Sequence, residues 1–254
     1  MEIAQQHSFP HFVDVPSSPD AVHPYPELIQ APPEEQAALF QEQEHCPIDE
    51  NYELAINDGL TLHMTQAPTA FHGITSDETG GVIWGAAVCL ARFLKREMIQ
   101  GKNTMELGCG GGTPSLVACK YGAKHVVATD FGVATLQRMD QHAKLNHCHD
   151  LEVQFLDWEH LPDAHDYVAD VVLASDVIYG NINVTAFVNT IDYYLAAEGA
   201  AYFATRNGRQ GVDDVLKLMP QSGFVEVERI PCLGDGNLLR WRGHHTIYKF
   251  QRLV

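Results

Sequence analysis

Apolar and polar positions alternate along most of the chain in two distinct periods. From residue 103 onward, short apolar runs alternate with longer amphipathic segments, and brief polar or glycine-containing breaks separate them. The predicted strands are 103–109, 124–130, 151–157, 167–176, 200–205, 224–230 and 246–253, and the predicted helices between them are 113–121, 133–146, 183–197 and 212–221. This alternation is typical of a doubly wound α/β sheet with parallel strands. The last two strands have no helix between them, so we expect them to be antiparallel.

A different pattern precedes this region. Residues 52–56 and 60–64 alternate strictly and are separated by Asn57-Asp58-Gly59, which predicts a β-hairpin because Asp-Gly suits a tight turn. A glycine-containing loop follows, and then residues 82–97 show the apolar spacing of a helix. We therefore expect an N-terminal hairpin attached to a seven-stranded sheet.

The first fifty residues have a composition of their own. They contain ten acidic residues, no Lys or Arg, and eight of the thirteen prolines, and so contribute −10 to the net charge of −17. We predict an irregular acidic extension over residues 1–50, with one short helix starting near Pro33, followed by one domain over 51–254. The extension either steers a basic protein substrate toward the domain or is a solvated arm that packs loosely on it.

Composition also excludes several classes of partner. With sixteen basic and thirty-three acidic residues, the chain is unsuited to the phosphate backbone of nucleic acids. No stretch approaches the ~20 apolar residues of a membrane span, and the first residues lack the pattern of a secretory signal. The six cysteines include no C-x-x-C pair, as expected of reduced thiols in an intracellular protein. We expect a protein of the cytoplasm or the nucleus.

The most informative motif ends the first predicted strand of the sheet. Residues 104–112 read Thr-Met-Glu-Leu-Gly-Cys-Gly-Gly-Gly, and Asp130 ends the next strand. Glycines permit close approach of the backbone to a ligand, and a carboxylate at the following strand end can accept hydrogen bonds from two ribose hydroxyls. Together they predict a nucleoside-binding crevice. The dinucleotide-binding fingerprint would need a glycine at position 113, where this chain has Thr113. The glycine motif is not specific by itself, because any glycine turn between a strand and a helix gives a similar pattern.

Two further strand ends carry candidate chemistry. Asp157-Trp158 ends the third strand and fits an adenine slot, or alternatively is a helix cap beside a surface aromatic ring. Ser175-Asp176 ends the fourth strand. Asp176 is suited to accept a hydrogen bond from an incoming amine, and Tyr179 is suited to line the entry to the site. Alternatively, Asp176 only caps the strand and Tyr179 only packs against its neighbours.

Four segments together resemble a known family. They are Gly81-Val-Ile-Trp84, Glu106 to Gly112, Leu156-Asp157-Trp158, and Asp176-Val-Ile-Tyr179. They resemble the lysine-methyltransferase-like group, methyltransferase family 16, of the class I seven-β-strand S-adenosylmethionine-dependent methyltransferases. The resemblance covers about residues 52–253. Ser175 departs from a more usual alanine, and Gly110-Gly-Gly112 departs from a more usual Gly-Thr-Gly or Gly-Ser-Gly.

The resemblance implies a Rossmann-like methyltransferase sheet, S-adenosyl-L-methionine as cofactor and S-adenosyl-L-homocysteine as product. The implied cofactor-binding residues are Trp84, Glu106, Gly108, Gly110, Asp130, Phe131, Asp157, Trp158 and Ser175, and the implied catalytic residues are Asp176 and Tyr179. The expected activity is protein-lysine N-methylation by a monomer. A protein histidine or a small molecule as acceptor remains an alternative, as does a non-catalytic scaffold or activator.

Several other polar residues are candidates for a functional role. His142, His147 and His149 cluster near Cys148, and we expect a solvated helix terminus there and no metal site. His72, in the glycine-containing loop, is a candidate substrate contact. Arg206-Asn207 follow the fifth strand at the expected reactive edge, where packing of the loop is the alternative role.

Overall fold

The computed structural model describes residues 50–57, 59–66, 80–233 and 244–253. Its first two strands, β1 (Glu50–Ala55) and β2 (Thr61–Gln66), pair antiparallel and form the predicted hairpin. Gly59 has a φ of +75° in the turn between them, a conformation in which glycine is the favoured residue. Strand alternation turns Leu54, Leu62 and Met64 inward, where they are buried.

The remaining elements follow the alternation predicted from residue 103. They are α1 (Gly85–Phe93), α2 (Arg96–Ile99), β3 (Asn103–Leu107), α3 (Thr113–Lys120), β4 (His125–Asp130), α4 (Val133–Leu145), β5 (Leu151–Phe155), β6 (Ala169–Ser175), α5 (Val184–Tyr194), β7 (Leu195–Arg206), α6 (Val212–Gln221), β8 (Phe224–Leu233) and β9 (His244–Arg252). Strands β3 to β9 form one sheet in the order β5-β4-β3-β6-β7-β9-β8. Strands β3 to β7 are parallel, and β9 runs antiparallel to both of its neighbours. The predicted doubly wound sheet with an antiparallel end is confirmed.

Each face of this sheet is covered by its own core. On one face the hairpin, α1, α3 and α4 bury a cluster that includes Leu62, Leu90, Leu116 and Met139. On the other face α5 and α6 bury a cluster built around Phe187 and the sheet residues beneath it. Because parallel strands are buried on both sides, their functional atoms emerge only at the strand ends.

Asn146, at the end of α4, anchors the hairpin to the first of these layers. Its side chain accepts a hydrogen bond from the backbone N–H of His63 at 2.9 Å and donates one to the His63 carbonyl at 2.6 Å. The side chain therefore pairs with the hairpin backbone much as a neighbouring strand would. The hairpin is fixed to the sheet through a helix.

Two predicted helices end earlier than their sequence pattern suggested. The helix expected over 183–197 stops at Tyr194, because Leu195 pairs with Ala169 and starts β7. Its apolar tail is compatible with either state, and sheet pairing decides between them. The helix expected over 82–97 divides into α1 and α2, because Leu94 adopts an extended ψ of 139° and turns its side chain into the core.

Some predictions lie outside the described residues. These include the acidic segment up to residue 49, its helix near Pro33, and His72 in the loop that follows β2. The division of the chain near residue 50 therefore stays a prediction. Among the described residues, no helix is long and apolar enough to cross a membrane.

Candidate active site

The glycine turn after β3 lies at the centre of the candidate site. Gly108 has a φ of +64°, and a Cβ there would lie 2.8 Å from Cγ1 of Val177 and 3.5 Å from Cζ2 of Trp158. Any larger residue would therefore collide with the segment that follows β6 and would also be strained. The turn consequently brings the ends of β3 and β6 together with Trp158. Gly110, two residues on, also has a positive φ of +52°.

Glu106, near the end of β3, is a fully buried carboxyl group with only one of its oxygens paired. Oε2 accepts hydrogen bonds from the backbone N–H of Ser115 at 2.9 Å and from its hydroxyl at 2.5 Å. Oε1 is buried and has no hydrogen-bond partner among the residues described. Burial raises the pKa of Glu106 to about 8, against the lowering effect of Ser115 and with a further rise from the charge of Asp130.

Asp130 ends the neighbouring strand β4 and holds the glycine turn from the other side. Its Oδ2 accepts from the N–H of Gly110 at 2.9 Å and its Oδ1 from the N–H of Gly132 at 3.0 Å. The side chain of Thr129 ties the two strand ends together by donating to the Glu106 carbonyl at 2.7 Å. Asp130 therefore fixes the backbone of the glycine turn and of the segment that follows β4.

The candidate adenine slot is formed by aromatic rings around the end of β5. Phe131 packs against Phe155 with ring centroids 5.7 Å apart, and Trp158 packs against Phe187 at 5.2 Å. Phe131 and Phe155 pack with the first core and Trp158 and Phe187 with the second, and Trp158 also lies beside Gly108. Apolar ring surface is therefore available at this strand end, and the adenine slot itself stays a prediction.

The carboxylate of Asp157 makes the local hydrogen bonds of a cap, which is the alternative role predicted for it. Its Oδ1 accepts from the N–H of Glu159 at 2.9 Å, and its Oδ2 lies 2.7 Å from Nδ1 of His160. Both oxygens thus stabilise the local turn. The binding of adenine by Asp157 stays a prediction.

Trp84 and Ser175 occupy the positions expected from the order of the elements. Trp84 is the N-cap of α1 and packs, half-buried, against the first core. Ser175 is the last residue of β6 and is buried, paired in register with Ala204 of β7. Ser175 therefore borders the same carboxyl-terminal edge of the sheet as Glu106 and Asp130, and cofactor contact by Trp84 stays a prediction.

Asp176 directly follows β6 and is held in an unusual backbone conformation. Its φ is +51°, a strained value for a residue other than glycine, of the kind that clusters at functional sites. Its Oδ1 accepts from the N–H of Arg206 at 3.0 Å and from the Thr205 hydroxyl at 3.5 Å, and it lies 3.5 Å from Nη2 of Arg209. No residue that the structure describes donates to its Oδ2.

Sequence reasoning missed Arg209 and Ser115. Arg209 reaches Asp176 from the loop after β7, where only Arg206-Asn207 were singled out, and Arg206 meets Asp176 through its backbone. Ser115, just inside α3, supplies both donors to Glu106. Neither partnership has a sequence signature, because each joins residues whose proximity depends on the packed sheet. Tyr179 lies three residues beyond Asp176 and is partly buried.

His142 is buried, although a solvated helix terminus is expected from the sequence. His147 and His149 are exposed, as predicted for a helix end, but His142 is fully buried. Its Nε2 accepts from the N–H of Thr65 at 2.9 Å, and its Nδ1 lies 2.8 Å from the carbonyl oxygen of Gly111, which requires Nδ1 to donate. The histidine therefore connects the hairpin to the glycine turn. In the part of the chain that is described, no group of three or more acidic, Cys or His side chains is arranged to hold a metal ion.

Comparison with known proteins decides the family. A sequence model described as "Lysine methyltransferase" matches residues 66–222, more than half of the chain. The chain belongs to the lysine methyltransferase family. The matched residues include β3 to α6 and therefore the glycine turn and the ends of β3, β4, β5 and β6 described above.

Curated members and relatives are similar over part of their length. The protein N-terminal and lysine N-methyltransferase efm7 of Neurospora crassa is 31% identical over 107 residues, which are 41% of this chain and 33% of that protein. Methyltransferase-like protein 22 of Mus musculus is 27% identical over 179 residues, which are 60% of this chain and 43% of that protein. The chain thus spans less than half the length of these two relatives.

Solved structures share the fold of this lysine methyltransferase family member at low identity. The 16S rRNA N2 G1207 methyltransferase RsmC of T. thermophilus, solved with AdoMet and guanosine, superposes with a TM-score of 0.54 at 14% identity, over 84% of this chain and 54% of that one. The ribosomal protein L11 methylase of Lactobacillus delbrueckii subsp. bulgaricus gives 0.51 at 19% identity, over 67% and 77%. At these identities the likeness shows the fold alone.

Proposed function

We propose that this chain transfers a methyl group from S-adenosyl-L-methionine to the side-chain nitrogen of a protein lysine and releases S-adenosyl-L-homocysteine. The observation that carries the proposal is the buried Oε1 of Glu106 beside the glycine turn, which has no hydrogen-bond partner among the residues that the structure describes. A buried acceptor without a donor is costly, and the ammonium group at the methionine end of this cofactor would satisfy it.

The other parts of the site fit the same cofactor. Asp130 ends the strand next to β3, where a carboxylate would accept hydrogen bonds from the two ribose hydroxyls. The rings of Phe131 and Trp158 would supply apolar surface for adenine, and Ser175 ends β6 at the same edge. Among the described residues, a Cβ at Gly110 would meet only the backbone of Gly80, at 3.7 Å, so these residues leave room beside the Gly110 backbone.

Asp176 and Tyr179 are proposed to handle the acceptor amine. When bound, the cofactor supplies an electrophilic methyl group on a sulfonium sulfur. Oδ2 of Asp176 would accept a hydrogen bond from the amine and so aim its lone pair, while Oδ1 stays fixed by Arg206 and Arg209. The carboxylate also offsets the positive charge that develops on nitrogen. Tyr179 would wall the entry and limit access of water.

The choice of a protein lysine is supported by charge and by relatives. A net charge of −17 attracts basic protein segments. The family description and the printed name of the Neurospora crassa relative both specify lysine methylation. We further propose that the protein acts as a monomer in the cytoplasm or nucleus, without nucleic acid as substrate.

Incubating the protein with methyl-labelled cofactor and a cell lysate tests the activity. We expect label in protein, and mass spectrometry of the labelled peptides should find it on lysine. Label on histidine, or only in small molecules, would contradict lysine as the acceptor but would still show methyl transfer from the cofactor. Calorimetric binding of S-adenosyl-L-homocysteine without transfer to any lysate component would contradict the activity and favour a scaffold or activator.

A further inference from the structure

The imidazole ring of His142 lies between the glycine turn and the N-terminal hairpin. It extends from α4 and is completely buried. Its Nδ1 lies 2.8 Å from the carbonyl oxygen of Gly111, and its Nε2 lies 2.9 Å from the backbone nitrogen of Thr65 and 3.0 Å from the hydroxyl oxygen of the same residue. Each ring nitrogen therefore contacts a different segment of the chain.

These contacts assign the proton of the ring. A carbonyl oxygen can only accept a hydrogen bond, so Nδ1 must carry the proton that is donated to Gly111. A backbone N–H can only donate, so Nε2 must offer its lone pair to Thr65. Because the hydrogen bond at one ring nitrogen decides which nitrogen is protonated, Thr65 selects the neutral tautomer that donates to Gly111.

The peptide group between Gly111 and Gly112 is held at both of its polar atoms. Its carbonyl oxygen accepts from His142, and its N–H, on Gly112, donates to the Cys109 carbonyl at 2.7 Å. Gly112 has a φ of +72°, and a glycine backbone has access to many other conformations. Hydrogen bonds to the peptide groups therefore restrict the shape of the turn, and His142 supplies one of them from another element.

The hairpin also packs on the turn through an apolar side chain. A Cβ at Gly111 would lie 3.2 Å from Cε of Met64 and 3.6 Å from Cε1 of His142, and the Thr113 hydroxyl donates to Sδ of Met64 at 3.7 Å. The flexible thioether of Met64 fills space without fixing a direction, whereas a hydrogen bond is directional. His142 is therefore the neighbour that is suited to orient the Gly111 carbonyl.

We propose that His142 is a positioning residue for the cofactor. It orients the Gly111 peptide group and so maintains the turn that receives the methionine end of S-adenosyl-L-methionine, without a contact of its own to the ligand. Thr65 acts one step further away, by orienting the ring of His142. This inference rests on the proposed function, which assigns the turn and the neighbouring Glu106 to the cofactor.

Two substitutions separate the two hydrogen bonds of the ring. The amide nitrogen in His142→Asn takes the place of Nδ1 and can donate to Gly111, but this side chain is too short to reach Thr65. The longer amide in His142→Gln can accept from Thr65 at the place of Nε2 and leaves Gly111 without the ring donor. Calorimetry should show an affinity for S-adenosyl-L-homocysteine that is about tenfold lower in His142→Gln, as expected for one lost hydrogen bond. In His142→Asn the affinity should stay within about threefold. An equal loss in both variants would overturn the proposal.

Asn146→Ala is the matched control for anchoring of the hairpin. Asn146 also ties α4 to the hairpin, but its side chain bonds to His63 and to the His142 carbonyl rather than to the glycine turn. Urea melts should show a loss of stability in Asn146→Ala, whereas affinity for S-adenosyl-L-homocysteine should stay within about twofold. A loss of affinity as large as in His142→Gln would mean that binding follows the anchoring of the hairpin in general, against a specific role of His142.

A measurement on the unmodified chain avoids any dependence on the folding of a variant. A proton–nitrogen correlation spectrum of the imidazole rings near neutral pH should show His142 neutral, with its proton on Nδ1. A proton on Nε2 instead would contradict the assigned contacts. If the unmodified protein does not bind S-adenosyl-L-homocysteine, the cofactor assignment fails and the positioning role with it. Equal affinities in the unmodified protein and His142→Gln would overturn the positioning role alone.

Discussion

The carboxyl-terminal edge of the sheet contains two halves that hold their carboxylates in opposite ways. At the ends of β3 and β4, Glu106 and Asp130 accept hydrogen bonds from neutral donors of the backbone and of Ser115, and one buried oxygen of Glu106 has no partner in the described part of the chain. At the end of β6, Asp176 faces the guanidinium of Arg209 and adopts a strained backbone.

The difference indicates which ligand each half accepts. The first half offers the carboxyl groups of Asp130 and Glu106, and one buried Glu106 oxygen has no donor among the described residues, so this half favours a ligand that carries an ammonium group and hydroxyl groups. In the second half the charge is already compensated, so it can orient a neutral amine without binding a cation tightly. The first half is therefore suited to cofactor binding and the second to transfer.

Removing Asp176 should have the largest effect. In Asp176→Ala, kcat/KM for the acceptor identified in lysate should fall about 100-fold, ~3 kcal/mol, because a positioning and charge-stabilising group is lost. Affinity for S-adenosyl-L-homocysteine should stay within about twofold, as expected for a transition-state contribution only. Asp176→Asn should recover part of the rate. Near-normal turnover in a well-folded Asp176→Ala would end the catalytic assignment.

Asp130 tests the first half. In Asp130→Ala, the affinity for S-adenosyl-L-homocysteine measured by calorimetry should fall about 30-fold, ~2 kcal/mol, for the loss of charged hydrogen bonds to the ribose. Asp170→Ala is the matched control, because Asp170 accepts from the backbone N–H of Asn103 at 2.8 Å at the opposite sheet edge. Equal affinities for S-adenosyl-L-homocysteine in the unmodified protein, Asp130→Ala and Asp170→Ala would contradict the assignment of Asp130 to the ribose.

The buried carboxyl of Glu106 predicts a specific dependence of stability on pH. The unfolded chain loses this proton near pH 4.5 and the folded chain near pH 8, so unfolding releases a proton between these values. The contribution of Glu106 is therefore fully present below pH 4.5 and falls as pH rises, by about 1.4 kcal/mol per pH unit, until the folded pKa is reached.

Glu106→Gln isolates that contribution. Urea melts at pH 5.5, 6.5 and 7.5 should give a free energy of unfolding that declines more steeply with pH in the unmodified protein than in the variant. Parallel profiles would show that Glu106 is ionised in the fold. Since a bound ammonium favours the carboxylate, affinity for S-adenosyl-L-homocysteine should also rise with pH toward 8 in the unmodified protein only.

Ser115→Ala should have the smallest effect. The hydroxyl donates to the Glu106 carboxyl at 2.5 Å, and its loss should lower the free energy of unfolding by about 1 kcal/mol. Thr190→Ala is a matched comparison, since the Thr190 hydroxyl donates to a carbonyl inside its own helix, away from the site. A larger loss in Thr190→Ala than in Ser115→Ala would indicate that Glu106 does not depend on this donor.

The parts of this architecture that sequence could predict are those governed by period and by backbone conformation. The alternation of strands and helices located the glycine turn and the residues that end β3, β4 and β6, because parallel strands place such ends at one edge. The start of β7 at Leu195 escaped prediction, because an apolar tail suits a helix or a strand until Ala169 pairs with it. Likewise His142 is polar by type, and only the docked hairpin makes it buried.

Side-chain partners were the least predictable feature of the site. The pairing of Asp176 with Arg209 joins two loops. The sequence offers the capping role of Asp157, which accepts from the N–H of Glu159 and lies against His160, only as an alternative. Residue types at strand ends indicate which chemistry is available. Which oxygen remains free for a ligand is decided by packing, as the unpaired oxygen of Glu106 illustrates.

The link between Thr65 and His142 also bears on synthesis of the chain. The two residues are 77 positions apart, and at roughly 5–20 residues per second the ribosome needs about 4–15 s to add the second after the first. Throughout that interval the apolar side chains of Leu54, Leu62 and Met64 have no helix α4 to cover them. The hairpin is made before α4 and docks after it, so its apolar face has no cover from this helix during that part of translation.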